Sequence, residues 1–221
     1  MNPPFRIKIC GVTSVADALA AVEAGADAIG LNFYAGSSRH VSLATAAEIA
    51  TAARGNIHLV GLFVNADVVL VRRVASELSL DVVQLHGDES PEYVQACGEL
   101  AVVKAFRVSA AEREQATSYV AQCQRLKAPL AGVVVDALAA GSYGGTGQMA
   151  DWNVARELVQ QLAPTPVILA GGLTPENVAA AIAAVQPAGV DTASGVESSP
   201  GHKDPELTRR FVAAARAALL P

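Results

Sequence analysis

The sequence predicts one α/β domain spanning residues 1–221, a closed (β/α)8 TIM barrel. Three observations lead there. Eight short apolar runs alternate with helical segments along the whole chain. Strand starts recur every 20 to 35 residues, enough for a strand, a crossover helix and two short loops, so the strands run parallel. No linker rich in Pro, Gly or Ser divides the chain, and no dinucleotide-binding fingerprint follows the first strand. An open doubly wound sheet uses similar units. Eight units without a large insertion favour the closed form.

The first strand is 6–10 (RIKIC), followed by a helix that Ser14 begins, with Asp17 three residues on, and Gly25 stops. Strands at 27–31 (DAIGL), 58–64 (HLVGLFV) and 81–86 (DVVQLH) come next. Ser90 before Pro91 opens another helix, which ends near Gly98. The later strands are 101–107 (AVVKAFR), 132–136 (GVVVD), 166–170 (PVILA) and 188–192 (AGVDT). Thr174 before Pro175 and Asp204 before Pro205 repeat the pattern of a capping residue with proline at the first helical position. Helix interiors such as DALAAVEA and ENVAAAIAAV are too poor in polar residues to be wet all round and should pack on the sheet.

Composition narrows the function classes. With 52% hydrophobic and 17% charged residues, the chain can bury a large core without disulfide or metal. A net charge of −5 without a basic run argues against a nucleic-acid surface. No apolar run is long enough for a membrane span, and the start MNPPFRIK lacks the layout of a cleaved signal, which leads us to expect a cytoplasmic protein. The cysteines Cys10, Cys97 and Cys123 are odd in number and far apart, which suits a reducing compartment and gives no zinc spacing. The four histidines form no metal-ligand set.

In a barrel of this kind chemistry gathers at the carboxyl ends of the strands. Cys10 ends strand 1, and the two-residue period puts it on one face with Lys8 and Arg6. A buried cation there would lower the thiol pKa, and Asp191, on the neighbouring strand 8, is the candidate partner for Lys8. Asp136 ends strand 6, where burial would raise a carboxyl pKa and keep a proton available. Gly171 and Gly172 after strand 7, with Ser194 and Gly195 after strand 8, let backbone amides approach a phosphate. Arg39, in the loop after strand 2, overhangs the same mouth and could fork a carboxylate. Residues 139–152, rich in glycine, read as a mobile lid; their formal GxGxxA match lacks the preceding strand and the later acid. Lys104 or Lys8 could serve as a Schiff-base nucleophile, although packing or an ion pair suits Lys104 better. His86, at the end of strand 4, fits a hydrogen-bonded structural role.

Together, KICGVT (8–13), GADAIGLNFYAGSSRHVS (25–42), VGLFVN (60–65), VVQLHGDE (82–89), GGTG (144–147), LAGGLTPENV (169–178) and VDTASGVESSPGHKD (190–204) resemble phosphoribosylanthranilate isomerase, in order and over nearly the whole chain. The resemblance implies an eight-fold barrel and a cofactor-free Amadori rearrangement of N-(5-phosphoribosyl)anthranilate in tryptophan biosynthesis. It implies Cys10 as general base, Asp136 as general acid and Arg39 as the anthranilate-binding residue. Gly171, Gly172, Ser194 and Gly195 would hold phosphate, and Asp191 joins the substrate-binding set. No metal is implied, and the expected partner is one small-molecule substrate, with a monomer and a homodimer both open. A related sugar-phosphate isomerase, a Schiff-base lyase and a non-catalytic phosphate-binding barrel are the alternatives.

Overall fold

The computed structural model describes residues 2–107, 110–136 and 152–219. Apart from Trp152, the expected lid lies outside them. Eight parallel strands form a barrel: β1 (Ile7–Cys10), β2 (Ala28–Asn32), β3 (His58–Phe63), β4 (Val82–Leu85), β5 (Val102–Arg107), β6 (Gly132–Asp136), β7 (Val167–Ala170) and β8 (Gly189–Thr192). Pairing of β1 with β8 closes it. The strands agree with the sequence reading to within a residue or so at each end. The helices are α1 (Val15–Ala24), α2 (Leu43–Ala53), α3 (Val68–Leu78), α4 (Pro91–Ala96), α5 (Ala110–Arg125), α6 (Trp152–Gln161), α7 (Val178–Val185) and α8 (Pro205–Ala218). After β8 come a 3-10 turn (Ser194–Val196) and an antiparallel hairpin, β9 (Glu197–Ser199) with β10 (His202–Lys203). No helix among the described residues is long and apolar enough to cross a membrane.

The caps form where the side-chain chemistry allows them. Ser14 accepts from the Asp17 amide, and Gly25 ends α1 in the left-handed conformation. Ser90 and Asp204 likewise cap α4 and α8, each with proline next. The Thr174–Pro175 pair behaves differently. Thr174 caps a tight turn through the Glu176 amide, and α7 begins only at Val178. Asn177 explains the delay: it accepts from the Thr174 amide and donates to the Gly172 carbonyl, spending its side chain on the preceding loop.

Strand alternation sorts the core into two shells. In β6, Val133 and Val135 face the helices, whereas Val134 joins Phe5, Val60, Val82, Val103 and Ile168 inside the barrel. In β1, Ile7 and Ile9 face outward, so Lys8 and Cys10 point in. Arg6 departs from the expected row: it precedes the strand, is exposed, and donates to the Leu219 carbonyl. Register sets Lys8 beside Asp191, and the ammonium donates to the carboxylate at 2.6 Å with no exposure of the lysine side chain. The Phe5 ring lies 5.8 Å from that ammonium. Room for these groups comes from Gly30 on β2, where a Cβ would lie 2.8 Å from Cys10 Sγ and 3.1 Å from Lys8 Cε.

Removing one member of a buried ion pair strands the other in a low dielectric. Lys8→Met should therefore cost about 3–5 kcal/mol in urea unfolding, and Lys8→Met with Asp191→Leu should recover most of the loss.

Candidate active site

The carboxyl ends of the strands open into a cavity lined by Cys10, Arg39, Asp136, Gly171, Gly172, Asp191 and Ser194. Seven of the eight residues singled out in the sequence thus share one mouth. Gly195 sits just behind it in the 3-10 turn, packed so tightly that a Cβ would lie 1.8 Å from the Leu173 carbonyl oxygen. Gly171 and Gly172 have φ of 91° and 64°, and Asn177 ties their loop to the start of α7. Thr192 donates to the Leu173 carbonyl and joins the turns after β7 and β8.

The two ends of the site are electrostatically different. Burial pushes the Cys10 thiol above its ordinary pKa; Lys8, and more distantly Lys203, pull it down without reversing the shift. The expected direction of the Lys8 effect is present, but desolvation is larger. Lys8 itself stays charged: burial would discharge it, yet Asp191 and Cys10 outweigh that and raise its pKa. Across the mouth, burial and then the nearby Asp191 charge push the Asp136 carboxyl up to about 6, against smaller opposing effects of Arg107 and Lys8. The acid is therefore substantially protonated in mildly acidic solution.

His86, expected to be structural, stands closer to the chemistry. Its Nε2 lies 3.8 Å from Asp136 Oδ2, and its Nδ1 is 3.3 Å from the Gln84 amide nitrogen. Burial, reinforced by Lys104 and Lys8, lowers its pKa to about 4, so the ring is neutral at physiological pH. A Gln84 amide donating to Nδ1 leaves the ring proton on Nε2, facing the acid.

Sequence reasoning passed over Gln84 and Asn32, which also line the cavity. Their signal was available: each is a polar residue at an inward position of an otherwise apolar strand. Among the described residues, three buried oxygens in this mouth, Asp136 Oδ1, Asp191 Oδ1 and Gln84 Oε1, have no hydrogen-bond partner. Such groups are costly unless something donates to them, and a ligand bearing several hydroxyls would.

The lysine alternatives meet geometry that opposes them. Lys104 shares its side of β5 with Val102 and Phe106, so it faces the helix layer; its ammonium donates to the Gly87 carbonyl at 2.6 Å and pairs with Glu89 at 3.3 Å. Lys8 is closed off beneath Cys10. Cys97 and Cys123 are buried thiols in or beside helices, as their apolar settings suggested. No group of metal-ligating side chains occurs among the described residues.

A family model described as N-(5'phosphoribosyl)anthranilate (PRA) isomerase matches residues 7–214, from β1 into α8. The chain belongs to the PRA isomerase family. It is 45% identical over 213 residues to the N-(5'-phosphoribosyl)anthranilate isomerase of Citrifermentans bemidjiense, covering 96% of this chain and 97% of the relative. The crystal structure of phosphoribosyl anthranilate isomerase from Thermotoga maritima superposes with a TM-score of 0.86 at 36% identity, covering 96% and 99% of the two chains. A second PRA isomerase structure, in complex with reduced 1-(o-carboxyphenylamino)-1-deoxyribulose 5-phosphate, gives 0.82 at 35% identity over the same shares. As a PRA isomerase, the protein catalyses the aldose-ketose isomerisation of tryptophan biosynthesis.

The raised Asp136 pKa has a measurable cost in this PRA isomerase. The folded state binds a proton there between pH 3.8 and about 6 that the unfolded chain has released, so this group lowers stability as pH rises through that window. Asp136→Asn should unfold at higher urea than wild type at pH 7–8, by at most about 3 kcal/mol. The difference should vanish near pH 4.

Proposed function

We propose that this PRA isomerase performs its rearrangement with Asp136 as general acid and Cys10 as general base. The observation that carries the reading is that a carboxyl raised to about 6 and a thiol above a buried ammonium line one cavity. Asp136 protonates the furanose ring oxygen; the C1–O bond breaks as the anilino nitrogen pair forms a C=N bond. Cys10 thiolate removes the C2 proton, and those electrons form C1=C2 while the C=N pair returns to nitrogen. The resulting enolamine tautomerises to the ketone. One proton has passed from Asp136 to Cys10, and its return by exchange resets the pair without net consumption.

Binding groups divide the substrate between them. The amides around Gly171, Gly172, Ser194 and Gly195 receive the phosphate, and Arg39 receives the aryl carboxylate. Asp191 Oδ1 and Gln84 Oε1, without a partner among the described residues, offer acceptors to the sugar hydroxyls. The ligand held by the related structure, a reduced carboxyphenylamino deoxyribulose phosphate, carries a phosphate, hydroxyls and an aryl carboxylate. The reaction needs no cofactor and no macromolecular partner, and the reading places it in the cytoplasm.

Cys10→Ala and Asp136→Asn should each lower kcat by roughly 10²–10⁴ with little change in product-analogue affinity, measured by anthranilate-type fluorescence. Wild-type turnover in either variant would remove that residue from the mechanism. The kcat/KM profile should fall on the acid side with an apparent pKa of about 6, and this limb should disappear in Asp136→Asn.

A further inference from the structure

Arg39 does not stand alone over the mouth. Its Nε and Nη2 donate to Oε1 and Oε2 of Glu197, each at 2.7 Å, in a bidentate fork. Glu197 Oε1 also accepts from Lys203 Nζ at 2.8 Å, and that ammonium donates to the Ala193 carbonyl at 3.0 Å. The Lys203 side chain is fully buried and that of Glu197 nearly so. We propose that Glu197 and Lys203 are positioning residues that fix Arg39 as the receptor for the substrate's aryl carboxylate. The inference rests on the reading of Arg39 given above.

The first argument is geometric. Arg39 follows β2 on a loop, and a loop arginine in water samples many rotamers. Two parallel hydrogen bonds to one planar carboxylate leave a single orientation and set the guanidinium before substrate arrives, so less ordering is needed on binding. Three of its five N–H donors remain for a second carboxylate.

The second argument is charge. Arg39 and Glu197 alone would form a neutral pair with little attraction for an anion. Lys203 brings the cluster to a net charge of +1 in a site shielded from water, where the surplus counts most. Burial lowers the Lys203 pKa, and the hydrogen bond to Glu197 and its charge work against that loss. Burial would raise the Glu197 pKa, but hydrogen bonds from Arg39 and Lys203 outweigh it and hold the carboxylate ionised. The same segment that makes the turn at Ser194 folds into the β9–β10 hairpin, whose register sets Lys203 opposite Glu197.

Steady-state kinetics of wild type, Arg39→Ala, Glu197→Gln and the double variant test the proposal. The two substrates are phosphoribosylanthranilate and phosphoribosylaniline, which lacks the carboxylate. Glu197→Gln takes the cluster to +2 but opens the fork, and loss of the fixed orientation should dominate: KM for the carboxylated substrate should rise about tenfold or more, with a much smaller rise for the aniline compound, and a fall in that KM would overturn the positioning role. In the Arg39→Ala background the same substitution should change KM by less than about twofold, because its route of action is gone. Lys203→Met should raise the same KM. If Glu197→Gln does not fold, Glu197→Asp carries the test, since it keeps a charge beside Lys203 and withdraws the fork by one methylene. Equal KM rises for both substrates, or a full Glu197→Gln effect without Arg39, would overturn the positioning role. Arg39→Ala acting alike on both substrates would instead overturn the carboxylate reading of Arg39.

Discussion

A lysine ammonium without solvent contact, at the centre of a barrel, is the constraint around which the site is organised. Isolated, such a charge would cost several kcal/mol and shed its proton. Asp191, 2.6 Å away on the strand that closes the barrel, keeps it ionised. Three consequences follow from that one contact. β1 and β8 gain a fixed register, the thiol of Cys10 gains a cation beneath it, and Gly30 is the neighbour whose missing Cβ leaves room for both.

The cation does not make Cys10 acidic. Burial holds the thiol protonated in the free protein, while Asp136 has lost much of its proton by neutral pH. Under the proposed roles, the reactive pair is a thiolate facing a protonated carboxyl, the less populated of the two arrangements of one shared proton. Between the two pKa values its fraction is constant, since each step in pH that removes a proton from Asp136 favours the thiolate by the same factor. The neutral His86, held by Gln84, borders this equilibrium without adding charge to it. A plateau of activity over a broad pH range is thus compatible with a minor reactive form.

The barrel and most of its mouth were legible in the sequence because both follow from local rules. Period-two alternation put Lys8 and Cys10 on one face, the strand-end rule picked out Asp136, barrel closure brought Asp191 beside Lys8, and cap residues marked α1, α4 and α8. What local rules missed had non-local causes. Arg6 fits the alternation and its carbonyl takes the first β1–β8 bond, from the Val190 amide, but its side chain lies at the exposed start of the strand and donates to the Leu219 carbonyl instead. Thr174 has the chemistry of a helix cap, yet Asn177 shifts the helix start to serve the glycine loop. The net shift of Cys10 depends on how deeply it is enclosed, which spacing does not reveal. Glu197 meets Arg39 across 158 positions of chain and Lys203 joins through Glu197, and only the folded hairpin brings the three together.

The partner of Lys8 lies 183 residues downstream. On the ribosome, β1 is therefore made long before the carboxylate that neutralises its buried cation exists. A chain halted before β8 carries that ammonium with nothing to pair it, which penalises premature closure of seven strands. The contact beneath the thiol therefore favours the closed barrel only once the eighth strand is present.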